Sequence, residues 1–246
     1  IDSTVEATSI AVAAGVDSST SVAVGLSVAR NEIRNDLSAF IDNSGTVGTP
    51  VIASGGLSVS ANQSATIDAT SKATAVAVAA SLSDSALGFS AGGATAVNVI
   101  LGGGNAYVSN SFLQTAGAVG LSAIHTSSID SKVAATAVSV ALGSGNAPAI
   151  AIGFSLARNL IGWSDLDTSD PLEVLAYLEN TTLTAGGGLT VTSSSTAMIT
   201  SEIEATSVAV AGSAKSAAAL TAAGLETTNK ISSLIKAYID GGAAVE

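Results

Sequence analysis

Cysteine is absent from the chain, and histidine occurs once, at position 125. Without cysteine there is neither a disulfide framework nor a thiolate metal site, and a single imidazole cannot build a histidine metal site. A Ser-His-Asp triad would depend on His125 alone. This residue follows Ile124 at the end of an alternating block, where a surface or packing role is favoured. The sequence therefore predicts no enzyme, no catalytic residue and no cofactor.

Basic residues are also few. The chain has 8 Lys and Arg against 19 Asp and Glu, a net charge of −11, whereas nucleic acid and anionic lipid require clustered basic side chains. Arg30 and Arg34 are interrupted by Glu32 and Asp36. The uncharged stretch 133–157 contains Asn146 and Pro148 and lacks the continuous apolar run of a spanning helix. We expect neither nucleic-acid binding nor membrane insertion.

Aromatic residues make up only 3% of the chain, and there are three prolines. A wide globular core normally needs large aromatic and Leu side chains, whereas Ala, Val and Ile suit a thin core between closely spaced strands. The composition predicts a narrow interior.

The chain repeats itself. An Ala-aromatic-aliphatic step recurs with spacings of 67, 70 and 61 residues, and its aromatic residues are Phe40, Tyr107, Tyr177 and Tyr238. An Asn precedes the aromatic residue by nine positions in three copies, at Asn31, Asn98 and Asn229. In the remaining copy Asn159 lies eighteen positions before Tyr177, which indicates an insertion of nine residues. Repeats of this length build quasi-one-dimensional folds in which each unit packs on its neighbours.

A second repeated segment identifies strands. Residues 1–12 align without gaps to the stretches that begin at Ile67, Ile129 and Ile199, and in each of them Val or Ile alternates with small residues. Residues 26–41 and 225–238 also fit helical spacing, but the equivalent 97–105 contains Gly102, Gly103 and Gly104, so we interpret all copies as strands.

The predicted fold is all-β, an elongated parallel β-helix (β-solenoid) of about 3.5 imperfect repeats of 60–70 residues. Each repeat would wind two or three rungs, or one unusually wide rung. We interpret residues 1–246 as a single array with units of approximately 1–21 (partial), 22–90, 91–149, 150–218 and 219–246 (partial). Because it begins inside one repeat and ends inside another, it is expected to be a piece of a longer protein.

Stacking of like positions predicts two columns of structural residues. One is an interior or corner column of Phe40, Tyr107, Tyr177 and Tyr238, and the other is a column of Asn31, Asn98, Asn159 and Asn229 whose amides hydrogen-bond along the stack. Turn and packing roles are favoured over a ligand role for both. A further acidic column is predicted for Asp42, Glu179 and Asp240, with Ser109 in the second copy. It would repel itself, bind cations or face solvent, and solvent exposure is favoured.

The insertion in the third copy is the best candidate for a specific site. Residues 163–171 carry the only Trp, Trp163, and three carboxylates, Asp165, Asp167 and Asp170. These could supply oxygens to Ca²⁺, and Trp163 could stack on a sugar. The spacing departs from a calcium loop, which has a Gly and a further acid at fixed offsets. A solvated loop with a packed Trp is favoured.

The repeat reads Ala-Phe-Ile-Asp-Asn-Ser at 39–44, Ala-Tyr-Val-Ser-Asn-Ser at 106–111 and Ala-Tyr-Leu-Glu-Asn-Thr at 176–181. In these motifs the chain resembles the repeat region of very large bacterial secreted surface proteins, the leukotoxin-like and filamentous-haemagglutinin-like exoproteins. The resemblance implies an extracellular location at the bacterial cell surface and a β-solenoid shaft used in adhesion or display, and it brings no catalytic residue.

Two functions follow as expectations. The first is a structural or adhesive shaft segment, whose partners are neighbouring repeats of the parent protein or another copy end to end, and a host or matrix glycan or protein. The alternative is a carbohydrate-active β-helix enzyme, or a glycan-binding module that uses the 163–171 insertion.

Overall fold

The structure, a computed structural model, describes residues 1–241 and 244–245. Throughout these residues the regular secondary structure is β-strand, with no helix, and accordingly none of them forms a helix that could cross a bilayer. The predicted last unit, 219–246, includes positions 242, 243 and 246, which lie outside the described residues. The expectation of an all-β chain is confirmed.

The strands, numbered in chain order, form three sheets. The first sheet contains the long strands β1 (Asp2–Gly15), β4 (Leu57–Ser81), β7 (Val119–Gly143) and β11 (Leu189–Ser213). The second contains β2 (Ser19–Asp42), β5 (Ala86–Ser109), β8 (Asn146–Ile161), β9 (Leu172–Glu179), β12 (Ser216–Ile231) and β13 (Ser233–Asp240). The third contains the short strands β3 (Val51–Ala53), β6 (Phe112–Thr115), β10 (Thr182–Ala185) and β14 (Ala244–Val245).

All strand pairs within the three sheets are parallel, and they join successive repeats. We call β1–β3 unit 1, β4–β6 unit 2, β7–β10 unit 3 and β11–β14 unit 4. In the first sheet the order is β1-β4-β7-β11, and in the third it is β3-β6-β10-β14. In the second sheet β2 pairs with β5, then β8 and β9 pair with successive parts of β5, and β12 and β13 continue them. Each unit therefore passes once through each sheet.

The register pairs identical or similar residues of successive units. Ile10 pairs with Val76, Val76 with Val138, and Val138 with Val208. The segments with ambiguous helical spacing lie in strands β2, β12 and β13, as the strand interpretation predicted. In unit 3 the ten residues 162–171 separate β8 from β9, whereas in unit 4 only Ser232 separates β12 from β13. The difference of nine residues equals the insertion that the sequence indicated.

One part of the cross-section is a thin two-layer region that we call the blade, where the C-terminal half of each first-sheet strand faces the N-terminal half of the following second-sheet strand. Its core is made of alanines such as Ala75, Ala77 and Ala141. A Cβ on Gly92 would lie 2.7 Å from the carbonyl oxygen of Thr136 on the facing strand. The two sheets therefore approach more closely than larger side chains would permit.

This thin core differs from the expected interior of Ala, Val and Ile. Along β1, Ala11 and Ala13 are partly buried, whereas Ile10 and Val12 are 68% and 72% exposed. Hydroxyl groups reinforce the inner face, since Ser21 Oγ donates to the Ala11 carbonyl oxygen at 2.8 Å. In the blade the small residues point inward and the branched residues point outward.

The other part of the cross-section is wider, because the third sheet separates the first two. Here Leu, Val and Ala fill a conventional apolar core that includes Leu121, Val174, Leu178 and Leu183, all with an exposed fraction of 1% or less. The chain turns from the second sheet into the third at Asn43, Asn110 and Asn180, whose φ angles are 50°, 49° and 47°. Asn tolerates this left-handed conformation better than most residues.

Candidate functional site

The four repeated aromatic residues form one ladder. The ring centroids of Phe40 and Tyr107 are 5.2 Å apart, and those of Tyr107–Tyr177 and Tyr177–Tyr238 are 4.9 Å apart, with interplanar angles of 8°, 2° and 5°. The ladder lies on the outer face of the second sheet, because the intervening Ala106 and Val108 point into the core. The expected interior or corner position is therefore wrong: the rings stack along the outside of the second sheet.

Stacking defines what this ladder can do. Burial raises the pKa of Tyr177 to about 12, and the adjacent Tyr238 and Tyr107 add to the shift. Burial also raises the pKa of Tyr238. Each inner ring has both faces covered by its neighbours, so a sugar could stack only on the outward faces of the end rings, Phe40 and Tyr238. A row of ring edges and hydroxyl groups is better suited to joining the units than to holding a ligand.

On the inner face of the second sheet, the four repeated Asn side chains form a ladder of hydrogen bonds that all run in one direction. Asn31 Nδ2 donates to Asn98 Oδ1 at 2.9 Å, Asn98 Nδ2 donates to Asn159 Oδ1 at 2.8 Å, and Asn159 Nδ2 donates to Asn229 Oδ1 at 2.9 Å. Asn98 and Asn159 are fully buried. Every bond runs from a unit to the next one, so an acceptor is left at the unit 1 end and a donor at the unit 4 end.

The acidic positions lie at the corner after the aromatic ladder. Asp42 Oδ1 accepts hydrogen bonds from Ser109 Oγ at 2.6 Å and from Asn110 Nδ2 at 3.2 Å. These bonds, the one from Ser109 first, hold the pKa of Asp42 below its usual value. Asp42 and Asp240 are exposed, and Glu179 is half-buried. The hydrogen bonds tie unit 1 to unit 2 across the corner.

The inserted segment folds as a small hairpin over the outer face of the second sheet. Trp163 and Ser169 form an antiparallel bridge, and Asp170 N donates to the Gly162 carbonyl oxygen at 3.0 Å. Trp163 and Leu166 pack on an apolar cluster of Val99, Leu101 and Leu160, which are buried although they belong to the outer face of β5 and β8. The hairpin thus covers apolar surface contributed by units 2 and 3.

The same hairpin reaches the two outer units. The Lys230 ammonium of unit 4 lies 4.3 Å from the centre of the Trp163 ring and donates to the Leu166 carbonyl oxygen. Asp170 Oδ2 lies 3.8 Å from Arg34 Nη1 of unit 1, an exposed pair that contributes little to stability. Since Lys230 covers the indole and the apolar cluster supports it, Trp163 is placed for packing rather than for sugar stacking.

The three carboxylates of the hairpin do not form a cation site. Asp165 Oδ1 accepts backbone hydrogen bonds from Asp167 N at 2.8 Å and Thr168 N at 2.7 Å. The first of these is the largest cause that lowers the pKa of Asp165. No group of three or more potential metal ligands occurs within the part of the chain that the structure describes. Asp165 caps its own turn.

His125 lies in the middle of β7 with its side chain fully buried, not at a strand end as the sequence indicated. Both ring nitrogens lack a hydrogen-bond partner among the described residues, and burial lowers its pKa. It pairs with Gln63, whose Nε2 donates to the Asn35 carbonyl oxygen at 2.9 Å, and Asn35 pairs with Gly102. A Cβ on Gly104 would lie 3.8 Å from the carbonyl oxygen of Ile124, so the glycine run of β5 lies close to this part of β7. Its role is packing.

One feature of the surface was not apparent from the sequence: much of the outer face of the second sheet in the blade is apolar and uncovered. Leu26 is 70% exposed, Val28 66% and Phe154 45%. The alternation of branched and small residues was visible in the sequence, but alternation alone does not say which set points outward.

Comparison with known proteins does not assign this chain, since no protein-family model and no curated protein matches it.

Proposed function

We propose that this chain is a segment of a β-solenoid shaft with a structural or adhesive role in a large secreted bacterial surface protein, and that it performs no catalysis. The observation that carries the proposal is the register, in which each unit lies over the next along its whole length. The Asn and aromatic ladders run through all four units in the same direction. Such an arrangement transmits load along the stack, because every unit is bonded to the next by a full set of backbone hydrogen bonds.

Secretion to the bacterial cell surface belongs to the same proposal and is supported by the motif resemblance. An excess of acidic residues and the lack of cysteine are compatible with it. A host or matrix glycan or protein would be the adhesive partner of the parent protein. The carbohydrate-active alternative gains no specific support, since Asp42 and Asp165 are both engaged in structural hydrogen bonds.

The two ends of the stack are complementary. At the unit 1 end, Asn31 offers Oδ1 and Phe40 offers a ring face; at the unit 4 end, Asn229 offers Nδ2 and Tyr238 offers a ring face. Continuing the register would set Asn229 over Asn31 and Tyr238 over Phe40 of the next segment. The partner at each end is therefore a further repeat of the parent protein or another copy of this chain.

A proline at the free edge of β1 tests this end-to-end pairing. In a parallel strand, alternate residues direct their N–H and C=O groups to opposite neighbours. Since Asp68 N donates to the Ile1 carbonyl oxygen, Glu6 directs its backbone groups away from β4, toward the free edge. Glu6→Pro removes one free-edge donor without breaking the β1–β4 pairing. We expect it to weaken concentration-dependent end-to-end association at least tenfold in sedimentation velocity.

The matched control is Glu6→Ala, which keeps the N–H group and removes a carboxylate that would face Glu204 of the next copy. It should associate as well as the parent chain or better. Equal association of the proline and alanine variants, or a parent chain that does not associate end to end, would contradict this continuation.

A further inference from the structure

The outer face of the second sheet in the blade is a flat apolar surface that lies on the side of the stack of units. On each of β2, β5, β8 and β12, five alternate residues point outward. The first of these on each strand are in register, and they are Thr20, Leu87, Pro148 and Ala218. Among these twenty positions (five on each of four strands) the only charged residue is Glu226, at one corner, where it lies 3.7 Å from Arg158. Because the surface is on the side of the stack, further units at either end would leave it exposed.

The surface is smooth as well as apolar. A Cβ on Gly93 would lie 2.7 Å from Leu26 Cδ2, and one on Gly224 would lie 2.9 Å from Phe154 Cδ2. The large side chain of one strand therefore lies across a glycine of the next strand, and the outer surface has no deep groove. A flat surface of this kind fits another flat apolar surface, and it offers no cleft to a small molecule or peptide.

Its size is that of a protein interface. Eight residue steps of about 3.3 Å and four strands about 4.8 Å apart give roughly 500 Å² on one copy. Two such faces would bury about 1,000 Å² in total, which is the lower limit for a specific protein interface and below the standard size. An exposed apolar patch of this size is as large as the largest patch on a typical monomer, and such a patch is often a functional surface.

Charge argues against a lipid surface as that partner. The blade ends in turns that carry the exposed Asp17 and Asp84 against one exposed Lys215, and the whole chain has a net charge of −11. Both would be repelled by an anionic bilayer, and a carboxylate is costly in hydrocarbon. The chain's own face is charged only at its Glu226 corner and carries no such penalty.

The neighbouring hairpin shows that this chain covers apolar residues on the same sheet face. Val99 and Leu101 point outward from β5 beyond a column that contains Arg30, Val97 and Arg158, and the inserted Trp163 and Leu166 bury them. In the blade, Leu26 and Phe154 have no such cover within the described chain. The same sheet face therefore has one apolar area that is closed by packing and one that is uncovered.

We propose that this face binds the same face of a second copy, so that two shafts associate side by side through a two-fold axis. The arrangement is isologous, the commonest form of association between identical chains. Ala91 lies next to the centre of the face, in the third of five columns and the second of four strands. Any in-plane two-fold axis through the centre therefore brings it within one strand spacing, about 4.8 Å in the plane of the sheet, of its own mate. The interface adds lateral association to the end-to-end continuation and does not depend on it.

Sedimentation equilibrium of Ile152→Lys tests the interface. Ile152 shares the column of Ala91, and its side chain is 40% exposed, so lysine is tolerated in the monomer. The measurement uses the Glu6→Pro background, which weakens end-to-end pairing. We expect the Glu6→Pro variant alone to dimerise, and we expect the added Ile152→Lys to weaken that dimer at least tenfold. The matched control is Val78→Lys on the outer face of β4, on the opposite side of the blade, which should leave the dimer unchanged.

Crosslinking locates the contact. Because the chain has no native cysteine, only the introduced cysteines can react. A short bismaleimide should join two copies of Ala91→Cys and should not join two copies of Ala80→Cys, which lies on the outer face of β4. A monomer at all concentrations would overturn the proposal. So would equal effects of Ile152→Lys and Val78→Lys, or crosslinking only when Ala91→Cys and Ala80→Cys are mixed, because that pattern means a head-to-tail contact between opposite faces.

Discussion

Gly102→Ala is expected to lower the free energy of unfolding by about 3 kcal/mol or more. Gly102 has a φ of 110°, which an L-residue rarely adopts, and an added Cβ would lie 1.9 Å from the carbonyl oxygen of Asn35. The colliding atom belongs to the backbone of β2, so it cannot rotate away as a side-chain terminus could. Relief requires the β2–β5 pairing to shift, and that pairing holds the units together.

Gly120→Ala is the matched control, because a Cβ there meets no atom within 4 Å and the backbone has no positive φ. Its effect should stay within about 0.5 kcal/mol and could be slightly stabilising. The measurement is the midpoint of denaturant-induced unfolding of both variants and the parent chain. Equal midpoints for the two alanine variants would show that Gly102 is not held at the position described.

Asn98→Ala is expected to cost about 3 kcal/mol of stability. Asn98 is fully buried, accepts from Asn31 Nδ2 and donates to Asn159 Oδ1. Its removal leaves a buried donor and a buried acceptor without partners, each worth about 1–3 kcal/mol. It also interrupts the ladder in the middle of the stack, where water has no access to replace the missing amide.

The control for this change is Asn62→Ala, since Asn62 points outward from β4 and is exposed. We expect its effect on the denaturation midpoint to stay within about 0.5 kcal/mol. If Asn98→Ala proved as mild as Asn62→Ala, the ladder would be a consequence of the stack and not a support for it.

The spacing of the repeats carried enough information to identify both ladders. Since Asn98 and Tyr107 keep the same offset in three copies, any fold that places units in register must stack them. The strand interpretation followed in the same way, because Gly102, Gly103 and Gly104 occupy in one copy positions that belong, in another copy, to a stretch with helical spacing. Repetition thus replaces information that a single copy lacks.

The direction of the side chains could not be predicted with equal ease. Ile10 and Val12 alternate with Ala11 and Ala13, and the pattern is the same whichever set faces the core. The close approach of two sheets decides the matter, since a Cβ on Gly92 would lie 2.7 Å from the carbonyl oxygen of Thr136 and only small residues fit between the sheets. The outward position of the aromatic ladder follows from the alternation of side chains along a strand, because Ala106 points into the core and the next residue therefore points outward.

The inserted hairpin was recognisable as an insertion, but its contacts were not. Trp163 packs on Val99 and Leu101 of the preceding unit, and these become neighbours only because β8 pairs with β5. The burial of His125 has a similar origin. It lies within a single 25-residue strand, β7, where the sequence showed two shorter alternating blocks.

The central claim is that like positions of successive units lie directly over one another, and a disulfide test measures this most directly. Thr74 and Thr136 are paired in register and point outward, so cysteines at both positions would have Cα atoms about 4.8 Å apart, within disulfide range. The Thr74→Cys, Val140→Cys pair is offset by four residues, about 13 Å along the strand. We predict that mild oxidation closes an intramolecular disulfide in the first double variant and none in the second. Rapid closure in the offset pair, with none in the Thr74–Thr136 pair, would contradict the stacked register.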